Sequence, residues 1–74
     1  MTHTFHNDIA DVQVASTMEA LGDQPWHCTV QPKSDFPVFT VIIETTYPLI
    51  AACEAVNRFK AEHHIENLSG VWTF

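Results

Sequence analysis

The strongest constraint on the fold is a run of β-forming residues between Pro37 and Thr46. Its central part reads Val-Phe-Thr-Val-Ile-Ile, and β-branched and aromatic residues of this kind favour a strand. Because successive side chains of a strand point to opposite faces, one predicted face consists of Phe39, Val41 and Ile43. The opposite predicted face consists of Val38, Thr40 and Ile42. Both faces are largely apolar, which is typical of a strand that is covered on both sides.

A helix is predicted directly after this strand, from Pro48 to His64. Pro48 suits the first helical turn, because its missing N–H has no partner to lose there. Residues with helical spacing form one stripe that can pack on a sheet: Leu49, Ala52, Cys53, Val56, Phe59 and His63. Glu54 and Arg58 lie away from this stripe as a favourable i,i+4 pair.

Two further strands are predicted on either side of this unit. Trp26–Gln31 alternates, with Trp26, Cys28 and Val30 on one face, and turn-forming residues 32–37 link it to the next strand as a hairpin. Leu68–Phe74 is predicted as the last strand. The chain would then contain a strand–helix–strand crossover.

The first third of the chain supports two interpretations. In the first, Asp8–Leu21 is a helix with a polar N-cap and with Gly22 just past its end, and the element order is αββαβ. In the second, Ile9–Ala15 is a strand whose inward residues are Ala10, Val12 and Val14, and Ser16 and Glu19 form the capping box of a short helix. That version gives the ferredoxin-like order βαββαβ. We expect the αββαβ order, with βαββαβ as the alternative, and either is a single two-layer α+β domain over residues 1–74.

Composition and charge exclude several classes of protein. Hydrophobic residues make up 46% of the 74 residues, which is too many for a disordered chain. The net charge of −6 argues against direct binding to nucleic acid, because that affinity comes from clustered basic side chains. No apolar run approaches the roughly 18 residues of a membrane span. The start of the chain has no signal-peptide pattern and the chain has 2 cysteines, so we expect a cytoplasmic protein with reduced thiols.

The residues that could carry chemistry do not form a known pattern. Five histidines and two cysteines lack the paired spacing of zinc ligands, and the adjacent His27 and Cys28 should point to opposite faces of a strand. Cys28 and Cys53 are predicted to be core thiols. There is no glycine-rich phosphate loop, and the carboxylates are scattered. We therefore expect no enzyme activity, no metal and no cofactor.

The acidity of the chain suggests a basic protein partner, because complementary charge steers association. The candidate contact residues are exposed acidic side chains along the chain: Asp11, Asp23, Asp35, Glu54, Glu62 and Glu66.

In size, acidity and α/β pattern the chain resembles the small phage proteins that inhibit host defence, above all the anti-CRISPR proteins. The features that carry this resemblance of type are the 74 residues, the charge of −6 and the strand–helix–strand unit from Val38 to Phe74. The resemblance implies stoichiometric inhibition of a nucleic-acid-handling host complex, such as a CRISPR effector, in the host cytoplasm. The alternative function is a small-molecule- or metal-binding regulatory module on a ferredoxin-like sheet.

The face of the strand that holds Val38, Thr40 and Ile42 predicts association. Helices of a two-layer domain cover one face of the sheet, and an open apolar patch is unusual on a monomer. We expect a second copy or a protein partner on this face. The alternative is that the N-terminal segment folds across it.

Overall fold

The computed structural model describes residues 2–16, 22–33, 35–65 and 72–73, the last two by their backbone. These residues form five strands and one helix in chain order: β1 (Thr2–Asn7), β2 (Ala10–Ala15), β3 (Gln24–Pro32), β4 (Phe39–Thr45), α1 (Pro48–Glu62) and β5 (Trp72–Thr73). The fold is therefore α+β, as predicted.

The strands form one sheet in the order β4-β3-β2-β1-β5. All neighbouring strands are antiparallel, so β1 to β4 make a meander. The chain then leaves β4 at one edge of the sheet and returns as β5 at the other, where β5 pairs with β1. α1 lies between β4 and β5 in the chain and packs on β4, β3 and β2 from one side of the sheet.

The predicted αββαβ order is wrong, because the chain opens with two strands instead of a helix. Residues Ala10–Ala15, which were expected in the helix Asp8–Leu21, form β2. Ala10, Val12 and Val14 are completely buried, since their two-residue alternation fits a strand between β1 and β3. Residues 17–21 of the expected helix lie outside the described residues.

The ferredoxin-like alternative has the right strand but the wrong topology. Its inward residues Ala10, Val12 and Val14 are the buried residues of β2. However, β2 pairs antiparallel with β3, whereas a ferredoxin-like unit would join these strands by a helical crossover. The connection at residues 16–23 is shorter than the dozen or more residues that such a crossover needs. Most of the short helix expected after Ser16 lies outside the described residues.

β1 has no counterpart among the predicted elements. Its hairpin with β2 turns at Asn7, whose Oδ1 accepts a 2.9 Å hydrogen bond from the N–H of Ile9. This is the local side-chain bond by which asparagine favours turns. Asp8, which was expected to cap a helix, is an exposed residue of this turn.

The hairpin of β3 and β4 and the helix α1 confirm the predictions for the middle of the chain. Trp26, Cys28 and Val30 are buried on one face of β3, and β4 pairs with β3 from Gln24↔Thr45 to Val30↔Phe39. α1 ends at Glu62, two residues before the predicted end at His64. β5 falls within the predicted strand Leu68–Phe74, of which the remainder lies outside the described residues.

The core lies between α1 and the sheet. Phe59 and Trp26 are its largest fully buried side chains, and the Nε1–H of Trp26 donates a 3.0 Å hydrogen bond to the carbonyl of Thr45. The helix presents Ala51, Ala52 and Ala55 to the sheet, all fully buried, so the backbone can approach closely. The predicted stripe is therefore displaced, and its members Leu49, Cys53 and His63 are half-buried. No helix in the described part of the chain has the length and apolar character to cross a bilayer.

Candidate functional site: the open face of the sheet

The side of the sheet that faces away from α1 is a continuous surface built from four strands. Residues paired across antiparallel strands share a face, so the register identifies the members of this surface. Three rows run across it: Thr2, Ala15, His27 and Ile42; Thr4, Gln13, Thr29 and Thr40; and His6, Asp11 and Gln31. We call this surface the open face. Each of these side chains is exposed or half-exposed, whereas their neighbours along the strands point toward α1.

Two shallow depressions lie side by side on the open face. The larger, of about 550 Å³, lies between β3 and β4, and its lining includes His27, Thr29, Thr40 and Ile42. The smaller, of about 270 Å³, is lined by six residues of β1, β2 and β3: Thr4, His6, Asp11, Gln13, Thr29 and Gln31. Thr29 lines both depressions, so together they extend from β1 to the edge strand β4.

A cluster of polar side chains occupies one end of the smaller depression. The Nδ1 of His6 lies 2.9 Å from Oδ1 of Asp11, and the Nζ of Lys33 lies 3.9 Å from the same oxygen. The register brings His6 and Asp11 opposite each other on β1 and β2. Their side chains are about half-exposed (58% and 45%), so the contact contributes little stability. It orients the imidazole, whose Nε2 is the ring nitrogen left to interact with a bound molecule.

The predicted acidic contact residues are not brought together in one patch. Asp11 lies on the open face, whereas Glu54 and Glu62 are exposed on α1, on the other side of the molecule. Asp23 and Asp35 lie beyond opposite ends of β3. Glu66 is outside the described residues.

Asp23 also has a structural contact. Its Oδ1 accepts a 2.6 Å hydrogen bond from the hydroxyl of Thr46, which ties the chain before β3 to the residue after β4. The acidity of the described chain is therefore spread over its surface, so the charge acts on a partner mainly at long range.

The predicted association residues do lie at the surface. Val38 and Ile42 are 55% and 57% exposed, and Thr40 is exposed between them. Phe39, Val41 and Ile43 point to the α1 side and pack on or in the core, as the alternation predicted. Association itself stays a prediction.

Sequence reasoning missed three further exposed apolar residues near β4: Phe36, Tyr47 and Ile50. Phe36 and Tyr47 each precede a proline, which disfavours helical backbone at the preceding residue. Tyr47 has extended φ and ψ of −108° and 128°. Extended backbone does not by itself expose a side chain, because Phe36 still packs its ring edge-on against Phe59 of α1, with centroids 5.7 Å apart. The two prolines therefore indicate extended segments and do not reveal that these side chains are exposed.

The thiols are placed away from the open face. Cys28 is buried, and burial raises the pKa of its thiol from 9.0 to about 11, as expected of a core cysteine. Cys53 is half-buried, so its predicted place in the core is confirmed only in part, and the two cysteines form no disulfide. His27 and Cys28 point to opposite faces, as predicted.

The open face offers hydroxyl, amide and imidazole groups as hydrogen-bond donors and acceptors, with Ile42 as an apolar contact. Among the residues that the structure describes, no three His, Cys, Asp or Glu side chains converge as metal ligands would. Comparison of the chain with protein-family models, curated proteins and solved structures found no match.

Proposed function

We propose that this chain is a non-enzymatic protein-binding module that inhibits a nucleic-acid-handling host complex by binding it stoichiometrically. The observation that carries the proposal is the open face, which α1 leaves uncovered and on which two depressions are contiguous through Thr29. Its regularly spaced hydroxyl and amide groups suit the polar rim of a protein interface, and Ile42 adds an apolar contact.

The charge of the chain favours a basic partner. The chain has a net charge of −6, and its acidic side chains lie on α1, on the open face and beyond both ends of β3. It therefore attracts positive surfaces from any direction. Proteins that handle nucleic acids carry such surfaces, and complementary charge accelerates encounter. The spread of the carboxylates favours steering of this kind over close imitation of a DNA phosphate array. The type of protein that the chain resembles, the phage anti-CRISPR inhibitors, acts on complexes of this class, and a CRISPR effector is one candidate target.

The proposal is tested by inhibition of a purified target. The tagged chain is used to retain proteins from a host lysate at low salt, and each retained nucleic-acid-binding complex is then purified alone. Titration with the chain should abolish nucleic-acid binding with an end point at a whole-number ratio. The proposal fails if no such complex is retained, or if the retained complex binds nucleic acid equally well in the presence of the chain.

Two charge-reversal variants locate the contact surface. Asp11→Lys changes the open face and Glu54→Lys changes the outer side of α1, while both alter the net charge by the same two units. Loss of long-range attraction should affect them equally. We therefore expect Asp11→Lys to weaken binding by roughly tenfold more than Glu54→Lys, as for a contact residue. Equal losses would contradict the open face as the contact surface.

A second candidate function is a small-molecule- or metal-binding module. The observation that favours it is the oriented imidazole of His6 in the smaller depression, beside Asp11 and Thr4. Elemental analysis of the untagged protein purified from its native source separates the two functions. A stoichiometric metal that is lost in His6→Ala but retained in His27→Ala would favour this second function over the first.

A further inference from the structure

We infer that the outer edge of β4 is a homodimer interface, in which a second copy of the chain pairs antiparallel with β4 about a two-fold axis at Ile42. This pairing would join the two five-stranded sheets into one continuous sheet. It goes beyond the proposed function, because it concerns a different partner and does not need the open face to bind anything.

The first observation is a long edge strand with little protection. β4 is the outermost strand of the sheet, and its seven residues from Phe39 to Thr45 have no strand on their outer side among the described residues. Its register with β3 is continuous from Val30↔Phe39 to Gln24↔Thr45, without a bulge. Proteins usually guard such an edge with lysine, proline, a bulge or a short strand. β4 itself has no lysine, proline or bulge; its one charged residue is Glu44, and Pro37 and Pro48 lie just outside it. The edge strand β5 at the other side has two described residues.

The second observation is where the exposed apolar side chains lie. Every large hydrophobic residue that is exposed in the described part of the chain falls in the segment 36–50, which is β4 with its two flanks: Phe36, Val38, Ile42, Tyr47 and Ile50. We call these five residues the β4 margin. Elsewhere in the described chain, the large hydrophobic side chains are buried or half-buried.

β4 is self-complementary about Ile42. In an antiparallel pair centred on this residue, Ile42 faces Ile42 of the second copy. Pro48 begins α1, so the pairing ends near Val38 and Thr46, which face each other at both ends. Apolar side chains thereby meet at the centre of the interface.

Charge excludes one of the symmetric registers. Glu44 is the one charged residue of β4. A register centred on Glu44 would place two carboxylates opposite each other, which is destabilising. In the register centred on Ile42, Glu44 faces Thr40 of the second copy instead. On the α1 side Val41 then faces Ile43, which continues the core across the interface.

A stable dimer sets a size that the interface has to reach. A standard interface takes roughly 800 Å² from each partner, against a total surface of 4836 Å² for this chain. A strand pair alone would bury less than this, so the β4 margin must supply the rest. Most homo-oligomers are two-fold dimers of this isologous kind, whereas pairing without closure would produce open fibres.

The dimer is tested by sedimentation equilibrium in the micromolar range. We expect a dimer for the wild type and for Gln31→Glu, which adds one negative charge to the open face on β3. Ile42→Glu adds the same charge at the two-fold axis and should raise the dissociation constant roughly tenfold or more. The inference is overturned by a monomeric wild type, by species that grow beyond a dimer, or by equal effects of the two variants.

A cross-linking pair tests the register without relying on a charged variant. In a Cys53→Ser background, Ile42→Cys places two thiols opposite each other at the axis, within the separation of about 4.4–6.8 Å between Cα atoms that a disulfide needs. Thr40→Cys, on the same strand and face, places them about 14 Å apart, because four residues separate them along the strand. Mild oxidation should convert Ile42→Cys to a covalent dimer and leave Thr40→Cys monomeric on a denaturing gel. The reverse result, or equal cross-linking, would overturn the register.

Discussion

Polar side chains on the α1 side of the sheet differ in how their atoms are satisfied. Asn7 is 2% exposed, and its Oδ1 is used in the turn to β2. In contrast, Nε2 of His3 is buried without a hydrogen-bond partner among the described residues, as is Oε1 of Gln24. His3 is held instead by ring contacts, edge-on to Trp26 with centroids 5.9 Å apart. A buried polar atom without a partner costs stability, because it has lost its hydration.

We therefore expect His3→Phe to stabilise the protein. The substitution keeps a ring beside Trp26 and removes the buried Nε2, so the free energy of unfolding should rise by about 1 kcal/mol. His27→Phe is the matched control, because His27 is exposed on the open face, and it should change stability by less than about 0.5 kcal/mol. Urea unfolding followed by circular dichroism at one protein concentration measures both. A loss of stability in His3→Phe would contradict a net cost of the buried Nε2.

Cys28 predicts a loss of stability at alkaline pH. Burial raises the pKa of its thiol from 9.0 to about 11, so the folded state holds the proton more tightly than the unfolded state. This contribution is complete below pH 9 and is lost as the pH rises toward 11. Unfolding experiments from pH 8 to 11 should show a shallower decline for Cys28→Ala than for the wild type. Equal slopes for the two proteins would mean that the Cys28 thiol ionises as readily in the folded state as in the unfolded one.

At the scale of elements, the β1–β2 hairpin depends on one side chain in its turn. The Oδ1 of Asn7 accepts the N–H of Ile9, and the carbonyl of Ile9 in turn accepts a 3.0 Å hydrogen bond from the N–H of Lys33. Asn7→Ala should therefore lower the free energy of unfolding by about 1 kcal/mol or more, because it leaves the N–H of Ile9 unpaired. Asp8→Ala, at the exposed neighbouring position, should cost less than about 0.5 kcal/mol. Chemical denaturation compares the two, and similar losses would contradict the role of the Asn7 side chain.

The middle of the chain could be predicted because its signals are local. β4 is a run of β-forming residues, α1 begins at a proline and repeats with helical spacing, and β3 alternates strictly. The first third could not be predicted in the same way. Asp8 is as good a helix cap as it is a turn residue, and Ala10–Ala15 becomes a strand through its pairing with β1 and β3, which lie on either side of it only in the folded sheet. Such pairing overrides local preference.

The same distinction applies to the candidate site. Val38 and Ile42 could be identified because the alternation within one strand places them on the face opposite Val41. The depression around His6 and Asp11 could not, because it depends on the β1–β2 register and β1 had no predicted counterpart. The six acidic residues share only their charge, which contains no information about distance, and the structure separates those that it describes.

At the scale of the whole molecule, one helix and a five-stranded sheet leave two surfaces without cover in the described chain. The open face is largely polar and spans four strands, and it is bounded by the edge of β4, where Ile42 belongs to both surfaces. A dimer through the β4 edge would place the open faces of both copies on one side of a continuous sheet. The dimer would then present two equivalent binding sites, related by the two-fold axis, to the target of the proposed inhibition. The number of chains bound at the titration end point would therefore be a multiple of two.

Salt should affect the two associations in opposite directions. Each copy carries a net charge of −6, so two copies repel each other. Added salt screens this repulsion, because it shortens the Debye length from about 30 Å at 0.01 M to about 8 Å at 0.15 M. Salt should therefore strengthen the dimer. A basic partner is attracted by the same charge, so salt should weaken that complex and slow its formation. Measurement of both dissociation constants across one salt series, with sedimentation for the dimer and titration for the complex, tests the direction of both salt effects together.

A dimer that weakens with salt would mean that charge pairs hold its interface, which contradicts the apolar β4 margin. A target complex that strengthens with salt would contradict steering by the acidic chain and leave the dimer untouched.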